Sequence, residues 1–337
     1  MKIYNKLRPF IVLLGISIAL LSTRAYALGS INLLTAPKEV ITTISEVVLD
    51  QTDGQLRGAN VLADNDRRLL YIYASKASEL RDLMDARRNG WEVLLKLESG
   101  KGKSLNGAHF YIESVEILSR ENKLSIGLLT EQVHIDPIVA TSKSDLFNIF
   151  DSVYPYKYYS YDVNDDCFNR AHFWSRTYEH NLSSKNQRMG TDKVFIFFSQ
   201  AYTKKYDHNW WYHVAPMVYY QNTNFPYVID PTFIDDPLSL QQWLEAFDPN
   251  TDGRCIEINS LEEYMFYNSR PVCMYLRTSM FSYIPSDLRG QRRLRNWRCG
   301  DFRGVKKIPA PGSETHNPNA TWADPEFNYL IPPSCRF

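Results

Sequence analysis

The stretch Asp165-Asp-Cys-Phe-Asn-Arg-Ala-His172 decides how this chain is interpreted, because a cysteine follows two residues that favour helix N-caps. We predict a helix from this point to about His180, with Cys167 in its first turn. The first turn of a helix offers unpaired backbone N–H groups and the positive end of the helix dipole. Both favour a thiolate and can hold an oxyanion, although the two adjacent carboxylates oppose the effect.

Two further polar side chains follow in order along the chain. His213 lies in Trp210-Trp-Tyr-His-Val-Ala215, and Asp230 lies in Val228-Ile-Asp-Pro231. A thiol, an imidazole and a carboxylate are the groups that a thiol hydrolase of the papain or transglutaminase kind requires. We therefore predict Cys167, His213 and Asp230 as catalytic residues.

The residues around this trio predict a sheet that would bring it together. Residues 194–199 are apolar on both faces, as in a covered central strand. Residues 210–220 form a second strand, irregular or edge-like at Pro216, and residues 227–230 form a return strand. His213 and Asp230 would then lie on neighbouring strands, with the helix of Cys167 packed against them.

The residues before Cys167 include a segment that we predict to be a separate β-rich unit. Four β-rich runs alternate with glycines, and a helical pattern between residues 75 and 88 precedes the last two runs. Several strands with one helix suggest a small Greek-key barrel of the OB type. It has no stripe of aromatic and basic residues, so we interpret it as a structural or regulatory module. The runs are residues 40–49, 69–74, 91–97 and 109–118.

The first 27 residues have the pattern of an export signal. A basic start precedes an apolar core from Phe10 to Leu21 and a small-x-small site at Ala25-Tyr-Ala27. Cleavage is favoured over an uncleaved anchor, because the core is shorter than the ~20 apolar residues of a spanning helix. We predict a secreted or periplasmic protein with no stable membrane association after cleavage.

The domain plan that follows has three parts: a signal peptide (1–27), a β-rich N-terminal domain (28–140) and a catalytic domain (141–337). Residues 130–144 form the predicted linker. The 337-residue chain has equal numbers of basic and acidic residues. The leader holds four of the basic ones and no acidic ones, so the mature chain is slightly acidic, which argues against a general nucleic-acid binder.

The five cysteines carry a further prediction. An odd number in an oxidising compartment leaves at least one free thiol. Four lie in the last third of the chain, and sequential pairing, Cys255 with Cys273 and Cys299 with Cys335, gives the shortest loops. The other two connectivities stay open. Cys167 stands apart from these four and is the natural free thiol, either as a nucleophile or as a buried structural cysteine.

Three of these motifs resemble the bacterial protein-glutaminases, secreted enzymes that deamidate glutamine side chains in intact proteins. The similar residues are 165–172, 211–215 and 228–233, and more loosely Pro237, Trp243 and residues 275–277. Asp166 replaces a glycine that the family usually has before the cysteine. Arg170 and His172 also match the family motif, and we interpret both as structural.

The resemblance implies a transglutaminase- or papain-like core, and hence an α+β chain with an OB-like N-terminal domain before that core. It implies the triad Cys167, His213 and Asp230, protein or peptide substrates bearing glutamine, and no cofactor. Family members carry an N-terminal pro-region that blocks the cleft, and residues 28–140 occupy that place, which makes them a possible intramolecular inhibitor. Transglutaminase-type acyl transfer, a cysteine peptidase and a non-catalytic secreted binding protein remain the alternatives.

Metal chemistry is the competing interpretation of the histidines. His208 and His213 with Asp207, or His172 and His180 on the helix, have loose ligand spacing but no closed four-ligand pattern. We therefore predict no metal site. The basic stretch from Arg289 to Lys307 is either a solvated face or a docking surface for acidic substrates.

Overall fold

The structure is a computed structural model that describes residues 38–99, 108, 110–120, 136–153, 167–183, 189–208, 210–221 and 225–289. Within these ranges the chain forms two large β-sheets, one two-stranded ribbon and a small number of helices. This confirms the mixed α+β class at the coarse level.

The first sheet, called the N-terminal sheet below, has six strands in the order β1-β5-β6-β4-β3-β2. All neighbouring pairs are antiparallel except β4 and β6, which are parallel. Only Thr43 separates β1 from β2, yet the two strands pair at opposite edges of the sheet. The elements are β1 (Glu39–Thr42), β2 (Ile44–Thr52), β3 (Gln55–Ala63), β4 (Asp66–Tyr73), α1 (Ala77–Asn89), β5 (Glu92–Ser99) and β6 (Phe110–Ser119).

Helix α1 forms where the helical pattern predicted it. Leu80, Leu83 and Ala86 are buried on one face, which packs towards β2 and β6. The helix ends at Gly90, which has a left-handed φ of 66° and donates its N–H to the Ala86 carbonyl. Glycine suits this C-terminal position because it has no Cβ.

The second sheet, called the C-terminal sheet, has the order β13-β12-β11-β10-β15-β14, and β8 runs parallel to β11. Strands β7 and β9 form the ribbon. The elements are β7 (Asp136–Pro137), β8 (Val139–Ala140), α2 (Lys143–Val153), α3 (Cys167–Ser183), β9 (Met189–Gly190), β10 (Asp192–Phe198), α4 (Gln200–Tyr206), β11 (Tyr212–Tyr220), β12 (Pro226–Val228), β13 (Leu238–Ser239), α5 (Leu240–Phe247), β14 (Ile256–Glu257), α6 (Tyr264–Tyr267) and β15 (Cys273–Ser279), with 3-10 helices at Leu261–Glu263 and Pro285–Leu288.

Strand β10 is the predicted covered strand, and its side chains from Val194 to Phe198 are completely buried. Strand β11 corrects the prediction of an edge strand, because it lies between β10 and β12. Pro216 is tolerated there because its position faces the end of β12. The Pro216 carbonyl still accepts the N–H of Ile229, beyond the last β12 residue, and no ladder bond requires a donor from Pro216.

The predicted linker is also shorter than expected. Ile138 and Ala140 are buried, and the Ile138 backbone bonds both Gly190 and Tyr219. Residues 136–140 are therefore paired strands, and α2 begins at Lys143. The small side chains and Pro137 in this stretch favour a linker, and the residue pattern gives no sign of the backbone pairing that the structure shows.

Two hydrophobic clusters contain buried side chains of both sheets, and one of them includes the start of α3. This second cluster contains side chains of the N-terminal sheet, side chains of the C-terminal sheet, and Cys167 with its helix neighbours. Its principal members are Leu62, Leu69, Tyr71, Tyr111, Cys167, Phe168, Ala171, Phe195, Phe197, Trp211, Tyr212 and Val214.

Several predictions lie outside the described residues: the export signal, the caps at Asp165 and Asp166, Cys299, Cys335 and nearly all of the basic stretch. Among the residues that are described, no helix has the length and hydropathy needed to cross a bilayer.

The predicted Cys255–Cys273 disulfide is present, and Cys167 does not form a disulfide. The bridge closes an 18-residue separation and ties the loop after α5 to β15. We expect the double variant Cys255→Ser/Cys273→Ser to lose about 3 kcal/mol of free energy of unfolding, because the unfolded chain regains loop entropy. Chemical denaturation under non-reducing conditions measures this, and an unchanged midpoint would contradict it.

Candidate active site

Cys167 is the first residue of α3, as the sequence predicted, and its side chain is buried. Helix α3 packs against β11, the strand that carries His213. Cys167 belongs to the cluster that contains Trp211, Tyr212 and Val214, the residues on either side of His213. The thiol therefore lies at a helix N-terminus beside the strand of the predicted base.

His213 and Asp230 are in direct contact. The His213 Nε2 lies 2.9 Å from the Asp230 Oδ2, and both side chains are buried. Trp243 Nε1 donates to the same carboxylate oxygen at 3.1 Å. With Nε2–H donating to Asp230, the imidazole presents the Nδ1 lone pair on its other side. That nitrogen has no hydrogen-bond partner among the described residues.

Aromatic rings surround the His213 imidazole. The Phe247 ring stacks on it at 4.8 Å, and the Phe233 ring meets it edge-on at 4.8 Å. Burial lowers the pKa of His213, and the charges of Arg67 and Arg170 act in the same direction, while Asp230 opposes them. The imidazole is therefore neutral near pH 7 and has the protonation state of a general base.

The structure brings His213 and Asp230 into contact, and Cys167 lies on the helix that packs against the strand of His213. Because His213 Nδ1 makes no hydrogen bond to any described group, the Cys167 thiol and this nitrogen are not hydrogen-bonded in this state. All three side chains are almost completely shielded from solvent.

The N-terminal sheet provides part of this shield, through the turn between β3 and β4 and the start of β4. Arg67 O accepts the Trp211 N–H at 2.8 Å, and Asp66 O accepts the Trp211 Nε1–H at 3.1 Å. The Tyr212 hydroxyl donates to Asp64 O at 2.8 Å. These bonds attach the N-terminal sheet to the residues directly before His213.

Asp64 forms a second attachment between the two sheets. Its buried carboxylate accepts the Thr43 hydroxyl at 2.6 Å and the Ser45 hydroxyl at 2.5 Å, both from the N-terminal sheet. It also accepts the Ser286 backbone N–H at 3.1 Å and the Ser286 hydroxyl at 2.8 Å, from the 3-10 helix after β15. Burial raises the pKa of Asp64 despite these hydrogen bonds, which act in the opposite direction.

Two of the histidines weighed as metal ligands, His213 and His172, contact other polar side chains, and the side chain of His180 lies outside the described residues. His213 bonds Asp230, and burial lowers the pKa of His208 to about 3. His172 Nδ1 lies 2.8 Å from Lys193 Nζ, a buried contact that fits the predicted structural role. Within the described ranges, one group of acidic and sulfur side chains has metal-like spacing, Asp248 with Cys255 and Cys273. Its sulfurs are joined in a disulfide and do not fit a metal in this state.

The segment that carries these three residues is similar in sequence to known glutaminases. Residues 144–247 match a glutamine-deamidase family model described as glutaminase. The matched segment contains Cys167, His213 and Asp230 and excludes the N-terminal sheet. The sequence resemblance to protein-glutaminases is thereby confirmed for this segment.

Solved structures of protein-glutaminases are similar to this chain at low identity. One of pro-protein-glutaminase is 17% identical with a TM-score of 0.48 and covers 84% of this chain and 98% of its own. A mutant of pro-protein-glutaminase is 18% identical with a TM-score of 0.46, covering 72% and 83%. One of protein-glutaminase is 17% identical with a TM-score of 0.31, covering 55% and 100%. No curated protein matches the chain.

Sequence reasoning missed the groups that the N-terminal sheet contributes to this site. Asp64 lies in the turn between β3 and β4, Arg67 lies at the start of β4, and nothing in their spacing relates them to Trp210 or Ser286. Trp243 was noted only through the family resemblance. Its indole bond to Asp230 needs the α5 helix to fold over β12, which residue patterns do not reveal.

Proposed function

We propose that this protein is a secreted protein-glutamine deamidase that converts glutamine side chains of proteins to glutamate and ammonia. The observation that carries the proposal is the glutaminase-matching segment 144–247, which contains Cys167 outside any disulfide and a buried His213–Asp230 pair. A thiol hydrolase needs a nucleophile, a base and a group that fixes the tautomer of that base.

The reaction follows from these roles. His213 Nδ1 accepts the thiol proton, and the Cys167 sulfur attacks the carbon of the glutamine carboxamide. Backbone N–H groups at the N-terminus of α3 hold the oxyanion that develops. The intermediate collapses, the carbon–nitrogen bond breaks, and the proton on His213 leaves with ammonia.

The second half of the reaction regenerates the thiol. Water gives a proton to His213 Nδ1 and attacks the thioester carbon, and the carbon–sulfur bond breaks to release glutamate. The proton returns to the Cys167 sulfur. Asp230 keeps Nε2 protonated throughout and stabilises the imidazolium in each half-reaction.

We further propose that the described form is latent and that residues 28–140 act as an intramolecular inhibitor. Support comes from the burial of Cys167 and His213 and from the two attachments at Asp64 and Arg67. A substrate glutamine has no access to the thiol until the N-terminal sheet moves away.

We also propose an OB-type barrel for the N-terminal sheet and a papain- or transglutaminase-like core for the catalytic part. A single strand interrupted at Thr43 that pairs at both edges of the N-terminal sheet supports the OB-type barrel. Helix α3 begins with the cysteine and packs on a largely antiparallel sheet, in which β11 carries the histidine and β12 ends two residues before the aspartate. This arrangement supports the papain- or transglutaminase-like core. Export rests on the leader pattern of residues 1–27.

The test is ammonia release from a denatured protein, measured together with the mass of the intact product. A deamidase releases ammonia and leaves the substrate backbone whole. Incorporation of an added amine would instead indicate a transglutaminase, and shortened products would indicate a peptidase. No ammonia and no change in mass, with the N-terminal half separated, would leave the binding-protein alternative.

Limited proteolysis tests the latency. Residues 136–140 are paired, which disfavours cleavage there, so within the predicted linker of residues 130–144 we expect the cut before residue 136. We expect the cut chain to be at least about tenfold more active on a protein substrate than the full chain, because a cleft blocked by a docked domain is rarely open. Equal activity before and after a mapped cut would rule out inhibition.

The attachment at Asp64 should depend on pH. Burial raises the pKa of Asp64 in the docked state, so the Asp64 carboxyl group takes up a proton when the N-terminal sheet docks. The contribution of Asp64 to the stability of docking is therefore greatest at acidic pH. Docking should weaken as the pH rises above about 4, the usual carboxyl range. The rate of linker cleavage, expressed relative to the Asp64→Asn variant at each pH, should therefore increase with pH. A ratio that is constant or falls would contradict this role.

A further inference from the structure

The Arg67 side chain occupies an aromatic surface beside the predicted base. Its guanidinium carbon lies 3.6 Å from the centre of the Trp210 ring and 5.9 Å from the centre of the Phe233 ring. These two rings lie 6.2 Å and 4.8 Å from the His213 imidazole. Arg67 is 1% exposed, so the guanidinium is removed from water at this position.

The Arg67 backbone is bound in the manner of an added strand. The Trp211 N–H donates to Arg67 O at 2.8 Å, and Arg68 forms an antiparallel bridge with Trp210. The segment from Asp66 to Arg68 thus runs alongside the residues that lead into β11. Extended peptides that add to a strand in this way gain affinity from main-chain bonds and specificity from side-chain pockets.

Trp210 offers an additional polar group at the same place. Its side chain is 1% exposed, and its Nε1–H has no hydrogen-bond partner among the described residues. A buried indole normally finds an acceptor. The Arg67 segment therefore covers the indole without giving its N–H an acceptor.

We propose that Trp210 and Phe233 form a substrate subsite for an arginine side chain, carried on an extended segment near the glutamine that is attacked. Arg67 is its internal occupant in the latent form. The subsite rests on the proposed function, because substrate reaches it only after the N-terminal sheet leaves. The preferred substrates would then be extended protein segments in which an arginine lies close to a glutamine.

Arginine fits this surface better than other side chains. A planar guanidinium stacks on an indole, keeps its positive charge and is weakly hydrated, whereas an ammonium group is a compact and strongly hydrated charge. Stacking of this kind, when desolvated, corresponds to roughly a 3- to 30-fold gain in affinity. Citrulline has the same planar shape without the charge and is therefore the matched comparison.

The experiment uses the full chain cut in its linker, with both halves kept in the sample. Two fluorescent peptides with the sequence of residues 63–69 are compared, one with arginine and one with citrulline at the position of Arg67. We expect the arginine peptide to bind at least about fivefold tighter. The retained N-terminal half competes equally with both peptides, so the ratio is unaffected. Equal binding overturns the subsite.

Substitutions at the two rings test whether Trp210 and Phe233 cause the preference for arginine. Trp210→Leu should reduce the ratio towards one, whereas Phe266→Leu, at an aromatic side chain that is 76% exposed, should keep it. If Trp210→Leu does not fold, Phe233→Leu provides the same comparison. A ratio that survives replacement of both rings overturns the assignment. Because binding is measured, a chain that prefers arginine but releases no ammonia refutes the deamidase function and retains the subsite.

Discussion

Replacing Cys167 with Ala should abolish ammonia release, with a loss of about 10³-fold or more in kcat/KM, because no other group in the site forms the acyl intermediate. The variant should still fold, since alanine leaves only a small change in the buried cluster around α3. The measurement is ammonia release from a denatured protein by the cut chain, before and after the substitution.

The control for this variant is its thermal unfolding, which should stay close to that of the parent chain. Cys167→Ser provides a second variant of nearly the same size with a much weaker nucleophile. If either folded variant keeps near-parental activity, Cys167 is not the nucleophile.

Replacing Asp230 with Asn should lower kcat/KM by about 10³-fold, although the shape of the side chain is preserved. The Asp230 Oδ2 accepts two N–H groups, from His213 and Trp243. A neutral amide either presents an N–H to His213, which reverses its tautomer, or keeps its oxygen there without the charge that stabilises the imidazolium. Both outcomes leave Nδ1 a poor base.

Asp236→Asn is the matched control, because Asp236 is an exposed carboxylate in the same loop after β12. It should leave both activity and the free energy of unfolding unchanged. Asp230→Asn with activity close to that of Asp236→Asn would show that Asp230 does not orient the base.

Some of the fold could be predicted because local patterns control it. The covered strand β10 and helix α1 have apolar residues at the spacing that their burial requires. The predicted runs omit strand β3, because the glycines of this region, including Gly58, are expected to separate the runs. Gly58 lies inside the strand instead, where a Cβ would come within 2.2 Å of Ile72 O and 2.5 Å of the Tyr71 hydroxyl.

Part of the candidate site could likewise be predicted from the sequence, and part could not. His213, Asp230 and Cys167 could be singled out by residue type and by resemblance, and the contact between His213 and Asp230 followed from the expectation of neighbouring strands. Arg67 and Asp64 could not be identified, because they act on Trp210 and Ser286 across more than a hundred residues of sequence. Such contacts depend on how two sheets dock, and a single sequence carries no local signal for that.

The central claim is that this chain hydrolyses the glutamine side chains of proteins through Cys167. The most direct measurement incubates a glutamine-rich protein with the cut chain in water labelled with heavy oxygen and analyses its peptides by mass spectrometry. Hydrolysis of a thioester by water predicts that each modified glutamine becomes glutamate with one labelled oxygen, with ammonia in equal amount and an intact backbone. Unmodified glutamines in the presence of a folded chain with an accessible Cys167 thiol would contradict the account, as would backbone cleavage or cross-links to lysine.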